Sequence, residues 1–160
     1  MAGWTNLGKR MILGHAFNQS AGGVFTVPTG LRAVFVTNAV APTILTTTLS
    51  GLTEISGDAG YTSGGVTITL ASGTWDSDDT AADGNVGTWV LANVAIVSAG
   101  VGWATPPRYM ILSSTFSSAG VFTATVANRL VYAWWDLGAL AAIGAGQTLT
   151  VNGAELRTTE

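Results

Sequence analysis

Between Leu31 and Arg157, short runs of β-branched and aromatic residues are cut off again and again by glycine, proline or asparagine. This punctuation leaves little room for long helices and favours short strands joined by tight turns. Leu31–Thr37 is bounded by Gly30 and Asn38, and Val66–Leu70 alternates apolar with polar residues as a half-buried strand does. The same reading predicts strands at Val86–Leu91, Val94–Val97, Arg108–Leu112, Val121–Val126, Leu130–Trp135 and Gln147–Val151, with Glu155–Arg157 closing the sheet. Turns fall at Pro28–Gly30, Ser63–Gly65, Ser98–Gly100 and Asn152–Gly153. Asn-Gly between two alternating runs predicts a hairpin joining the last two strands. About eight strands at this spacing give a mostly β fold, a β-sandwich or barrel.

One segment departs from the pattern. Trp4, Leu7 and Met11 recur at helical spacing, and Thr5 is placed to cap a helix of about ten residues. Gly8 weakens that helix, and a helix this short needs something to dock on. Residues 1–23 therefore read as an N-terminal helix or arm with a connector, and 24–160 as a single β domain. The arm is expected to contact something outside its own subunit. Lys9 and Arg10 are the densest positive charge in the chain and call for an acidic neighbour. A short likeness between Ser20–Thr26 and Ser118–Thr123 suggests two equivalent entries into strands, not a repeat architecture.

Charge is scarce. Only 9% of the 160 residues are charged, against 48% hydrophobic, with 21 glycines and six tryptophans. A chain this small has too much surface to hide so much apolar area within itself, so other subunits are expected to cover part of it. A homo-oligomer follows, most simply a trimer. The formal net charge is −3, and Arg32, Arg108, Arg129 and Arg157 are isolated, so no basic stripe tracks a phosphate backbone. The absence of cysteine removes disulfides, thiolate metal sites and cysteine nucleophiles.

His15, the only histidine, has neither a nucleophile elbow nor an obvious orienting carboxylate in sequence, and no enzyme is expected. Asp76, Asp78, Asp79 and Asp83 are the candidate metal ligands. Their spacing lacks the order of a calcium loop, and solvated, backbone-capping aspartates explain them as well. No cofactor is expected. The uncharged stretch Gly84–Pro107 is broken by Asn93, Ser98, Gly100 and Gly102 and reads as two strands and a turn rather than a membrane span. The first six residues lack the basic and apolar regions of a signal peptide. Trp134 and Trp135 are adjacent in a strand, so one should fill the core while the other faces outward as an anchor. The interface candidates are Trp4, Leu7, Lys9, Arg10, Met11, Trp134 and Trp135.

Three segments, in this order, carry a likeness: Trp4–Lys9 (WTNLGK), Leu52–Ile55 (LTEI) with Gly60–Gly65 (GYTSGG), and Ala133–Gly138 (AWWDLG) with Gly146–Val151 (GQTLTV). Val40–Thr43 and Arg108–Tyr109 fit the same pattern. Together they resemble the small structural proteins of tailed bacteriophages, most closely the capsid decoration, or auxiliary head, proteins. The resemblance implies a β-rich fold, assembly on the outside of a virion, the major capsid protein as partner and a role in cementing the shell. It carries no catalytic residues. Related-looking proteins also serve as tail or tail-fibre components with a receptor- or glycan-binding role, which is the alternative function. A third reading, a glycosidase using Asp78 or Asp79, would need aromatic platforms converging on the acidic loop.

Overall fold

The structure is a computed structural model that describes residues 2–6, 8–9, 30–56, 60–68, 76–78, 86–117 and 125–158. The mostly β expectation holds. Ten antiparallel strands are described: β1 (Ala2–Trp4), β2 (Leu31–Val36), β3 (Val66–Thr67), β4 (Asp76–Asp78), β5 (Val86–Val90), β6 (Val94–Val97), β7 (Tyr109–Ser117), β8 (Arg129–Asp136), β9 (Thr148–Val151) and β10 (Glu155–Thr158). A 3₁₀ turn at Val126–Asn128 leads into β8.

Five strands form one sheet in the order β1-β8-β7-β2-β3. The other strands pair as β10-β5-β4 and β6-β9. These two smaller sheets keep one antiparallel register: Val90 pairs with Glu155, and Val94, four residues later, pairs with Val151, four residues earlier. Between them Leu91 N–H donates to Ala154 C=O at 2.9 Å. Strands β5–β6 and β9–β10 are thus two long bent strands in one ribbon. The sheets stay open, so the fold is layered rather than a closed barrel.

This ribbon corrects the hairpin expected at Asn152–Gly153. Strands β9 and β10 do not pair with each other; each pairs with one half of the opposite bent strand. Gly153 lies at φ +59°, and it kinks the chain opposite Leu91–Asn93. A left-handed glycine serves a kink as well as a two-residue turn, and only the pairing partners distinguish them.

The five-stranded sheet is apolar on both faces. Leu31, Ala33 and Phe35 of β2 join Met110 and Leu112 of β7 in the core between the layers. Leu91, Val94 and Ile96 close that core from the ribbon. Full burial of side chains such as Phe35 is worth about 1.5–3 kcal/mol each. Val34 and Val36 of β2, Ile111 of β7 and Val131 of β8 point the other way, into a smaller cluster with Leu49. The period-2 geometry of a strand requires this division.

Strand β8 keeps both faces filled through a bulge. Leu112 opposes Ala133, yet Ser113 opposes Val131, which leaves Tyr132 as an extra residue. The phase shift lets Tyr132 and Ala133 both face the inter-sheet core. It also frees carbonyls along the β8 edge, and the N-terminal segment takes them. Thr5 N–H donates to Tyr132 C=O at 2.9 Å. The Thr5 hydroxyl, fully buried, shares its proton between the carbonyls of Val131 and Tyr132, at 2.7 and 2.9 Å.

The arm expectation is corrected here. Ala2, Gly3 and Trp4 pair with Trp135, Trp134 and Ala133, so this stretch is the edge strand of its own sheet rather than a segment docked elsewhere. The reason is the bulge, whose open carbonyls offer the N-terminal chain a home in its own domain. The expected cap is present. Thr5 Oγ1 accepts from Gly8 N–H at 3.0 Å, and Lys9 N–H reaches Thr5 C=O at 3.1 Å, closing a helical turn that starts after Thr5. Trp4 belongs to the strand and not to the helix. The continuation of that turn lies outside the described residues. Among those residues, no helix is long and apolar enough to cross a membrane.

Candidate interaction surface

Two features stand out on the outer face and edges of the five-stranded sheet. The first is the loop after β2. Val40, Ile44 and Leu45 are exposed, Leu45 at 73%. Exposure of neighbouring large apolar side chains is costly in water and marks a contact surface when the backbone beneath them is fixed. It is fixed here. Thr46 N–H donates to Thr43 C=O at 3.0 Å, Thr43 N–H to Thr46 Oγ1 at 2.9 Å, and Leu45 N–H to Thr43 Oγ1 at 3.2 Å. Asn6 N–H donates to Ile44 C=O at 2.9 Å and ties the loop to the N-terminal turn that carries exposed Lys9.

The second feature is a recess of about 200 Å³ over the smaller apolar cluster. Val34, Val36, Leu49, Leu52 and Val126 supply apolar walls, and Glu54 and Ser63 supply polar ones. Glu54 pairs with Val36, on the side of β2 away from β7. Its carboxylate is held by three neutral donors: Tyr61 Oη at 2.5 Å and Gly64 N–H at 2.7 Å to Oε1, and Ser63 Oγ at 2.9 Å to Oε2. Tyr61 Oη in turn accepts from Phe35 N–H at 3.0 Å, and its ring meets Phe35 edge-on with centroids 6.0 Å apart. Burial, and then the Glu54 carboxylate beside it, push the Tyr61 phenol well above its ordinary range, so it stays protonated and donating. Arg129 Nη1 donates to Gly64 C=O at 2.9 Å and Arg32 Nη1 to Gly65 C=O at 3.0 Å, which fixes the left-handed Gly64–Gly65 turn.

The predicted tryptophan pair divides as strand geometry requires. Trp135 is buried between the layers. Trp134 packs on the outer cluster, with its ring over Gly3 of the neighbouring strand. Trp4 is half-buried against the inter-sheet core. Lys9 is exposed. Leu7, Arg10, Met11 and His15 lie outside the described residues, as do Asp79 and Asp83. Asp76 and Asp78 sit on β4, and among the described residues no three metal-ligating side chains gather.

Residue chemistry alone did not single out Glu54, Tyr61, Ile44 or Leu45. Glu54 and Tyr61 are seven residues apart, and only the pairing of Glu54 with Val36 turns them into a unit. Leu45 sits in a segment with no strand or helix period, where an exposed apolar residue looks like any other.

The chain matches no family model, no curated protein and no solved structure among those compared.

Proposed function

We propose that this chain is a virion structural protein that binds the outside of a bacteriophage capsid as a multimer and cements the shell. The observation that carries the reading is the Ile44–Leu45 turn, apolar and exposed on a backbone fixed by its own hydrogen bonds. Scarce charge across the chain and the resemblance of its three segments support the same reading. The function needs no catalytic residue, cofactor or metal.

Cementing works by mass action. A protein that binds only the closed lattice adds its binding free energy to that lattice. A closed oligomer placed on a lattice symmetry axis touches several shell subunits at once, so individually weak apolar contacts gain avidity. A trimer on a threefold axis is the simplest such match.

The test is co-sedimentation with shells assembled from the major capsid protein encoded beside this chain. Binding should saturate, raise the temperature at which shells rupture, and fall at least tenfold for Ile44→Asp and Leu45→Asp. Shells that never bind the protein overturn the reading. Binding to a glycan array without shell binding supports the tail-fibre alternative.

A further inference from the structure

We propose that the recess beside Glu54 receives the side chain of Lys9 from a second copy of the chain, so that copies join head to tail. The inference rests on the homo-oligomer reading above and names its contact.

Glu54 is half-buried, and no described cation lies within ion-pair distance of it; among the described residues the ion pair is Arg108 with Asp136. Arg129 directs Nη1 to Gly64 C=O and Arg32 directs Nη1 to Gly65 C=O, and neither forms an ion pair with Glu54. A carboxylate offers about four lone-pair directions. Two on Oε1 and one on Oε2 are taken, which leaves one on Oε2, and Glu54 lines the recess. Apolar walls ending at a carboxylate with acceptor capacity left fit an aliphatic stem carrying a cationic donor. The recess volume of about 200 Å³ far exceeds the roughly 10–15 Å³ that one water-sized group needs. An ammonium on a four-carbon stem has this shape and charge, and lysine is known to lay its stem along apolar surface with its charge at a polar rim.

Lys9 is the only lysine in the chain, and it is exposed. It makes no ion pair with its own Glu54. Its helical turn is capped by Thr5 outside β8, at the β1 edge, while Glu54 lies beyond β2 at the opposite edge. Strands β8, β7 and β2 stand between them. A donor at one edge and an acceptor at the other make a heterologous contact, and such contacts close into rings when the rotation permits.

The chain has no cysteine, so single introduced cysteines report contact cleanly. Lys9→Cys and Glu54→Cys proteins are prepared separately, mixed and oxidised mildly. The expected product is a disulfide-linked pair containing one of each, in excess over either protein crosslinked to itself. In parallel, light scattering on wild type, Lys9→Met, Glu54→Gln and the double variant measures association. Each single variant should raise the dissociation constant at least tenfold, and the double should be no weaker than the weaker single, because the two side chains act as one contact. Lys9 is exposed, so Lys9→Met keeps the fold and stays informative even where Glu54→Gln loosens the Tyr61 network. An oligomer unchanged by Lys9→Met, with no mixed crosslink, overturns this inference and leaves the oligomer reading standing. A monomeric wild type overturns both.

Discussion

Thr5 closes the bulge at Tyr132. Its backbone N–H and its hydroxyl both meet the Tyr132 carbonyl at 2.9 Å, across 127 residues of chain. Thr5→Val keeps the shape and removes the hydroxyl, which strands the Val131 carbonyl and the Gly8 N–H that Thr5 Oγ1 serves. Leaving buried groups unpaired costs about 1–3 kcal/mol each. We expect Thr5→Val to lower stability by about 2–4 kcal/mol in denaturant titration, and Thr5→Ser to keep most of it. Equal stability of Thr5→Val and wild type would show that water serves the bulge instead.

Gly3 and Gly8 test the same edge in different ways. A methyl at Gly8 would lie 2.3 Å from the Tyr132 carbonyl oxygen, which is backbone and cannot step aside. A methyl at Gly3 would meet the Trp134 ring at 2.4 Å, but that ring is only half-buried and can turn outward. Gly8→Ala should therefore cost more than Gly3→Ala, about 1–3 kcal/mol, the usual range for overpacking. Gly3→Ala should show instead a red-shifted tryptophan emission at nearly unchanged melting temperature.

What the sequence made legible follows from how local each signal is. Val94–Val97 reads as a strand at its full length because β-branched Val and Ile fill a short run bounded by Asn93 and Ser98, while its alternation of buried and exposed residues emerges only in the fold. Thr5 reads as a cap because its partner is three residues away. The pairing of Ala2–Trp4 with β8 is invisible, since its partners are about 130 residues on and the bulge that creates the vacancy is a feature of the β7–β8 register. The Glu54 site is hidden for the same reason: Val36, Tyr61 and Gly64 converge only after the loop has folded back on β2.

Arg108 and Asp136 give the fold an acid dependence. Their side chains form a two-pronged pair, Nε to Oδ1 at 2.8 Å and Nη2 to Oδ2 at 2.9 Å, and Gly138 N–H donates to Oδ1 at 2.8 Å. The Gly138 hydrogen bond first, then Arg108, holds the Asp136 carboxyl below its ordinary value. A group whose folded value is depressed stabilises the fold above its unfolded value, about 3.9, and loses that contribution as pH falls through the folded one. Melting temperature should drop more steeply between pH 5 and pH 2 (roughly that window) for wild type than for Asp136→Asn. Parallel curves would assign the acid response to other carboxylates.

Tyr61 and Tyr132 act at the opposite end of the scale. Burial raises both phenols, with Glu54 adding to the effect at Tyr61 and Ser114 opposing it at Tyr132. A raised folded value means a contribution fully present below about pH 10, the ordinary phenol value, and lost as pH climbs above it. Tyr61→Phe should start less stable, because Phe35 N–H and Glu54 lose a partner, yet decline less than wild type from pH 9 to pH 12 (about one unit below the phenol value to two above). Phenolate absorbance followed through the same titration should rise only as the protein unfolds.

Gly153 separates conformational strain from crowding. It sits at φ +59°, where glycine is at ease and asparagine is tolerated, and a methyl there would meet nothing within 4 Å. Any loss on substitution is thus backbone strain at the kink between β9 and β10, not a clash. The kink matters because buried Ala154, next in the chain, bonds Leu91 and keeps the two halves of the ribbon in one register. Gly153→Asn should cost a few tenths of a kcal/mol, Gly153→Ala about 1 kcal/mol, and Gly153→Val more, since a β-branched residue at positive φ is strained by roughly 1–3 kcal/mol. Were Asn152–Gly153 a free hairpin end, the strain would relax by fraying, and amide exchange would rise at the turn alone. In the bent ribbon, the strain loosens the bond between Leu91 and Ala154, so Gly153→Val should raise exchange at Leu91 N–H, some 60 residues away in sequence, by at least tenfold, which is about 1.4 kcal/mol. Unchanged exchange at Leu91 would mean that the two halves of the ribbon hold their register independently of the kink.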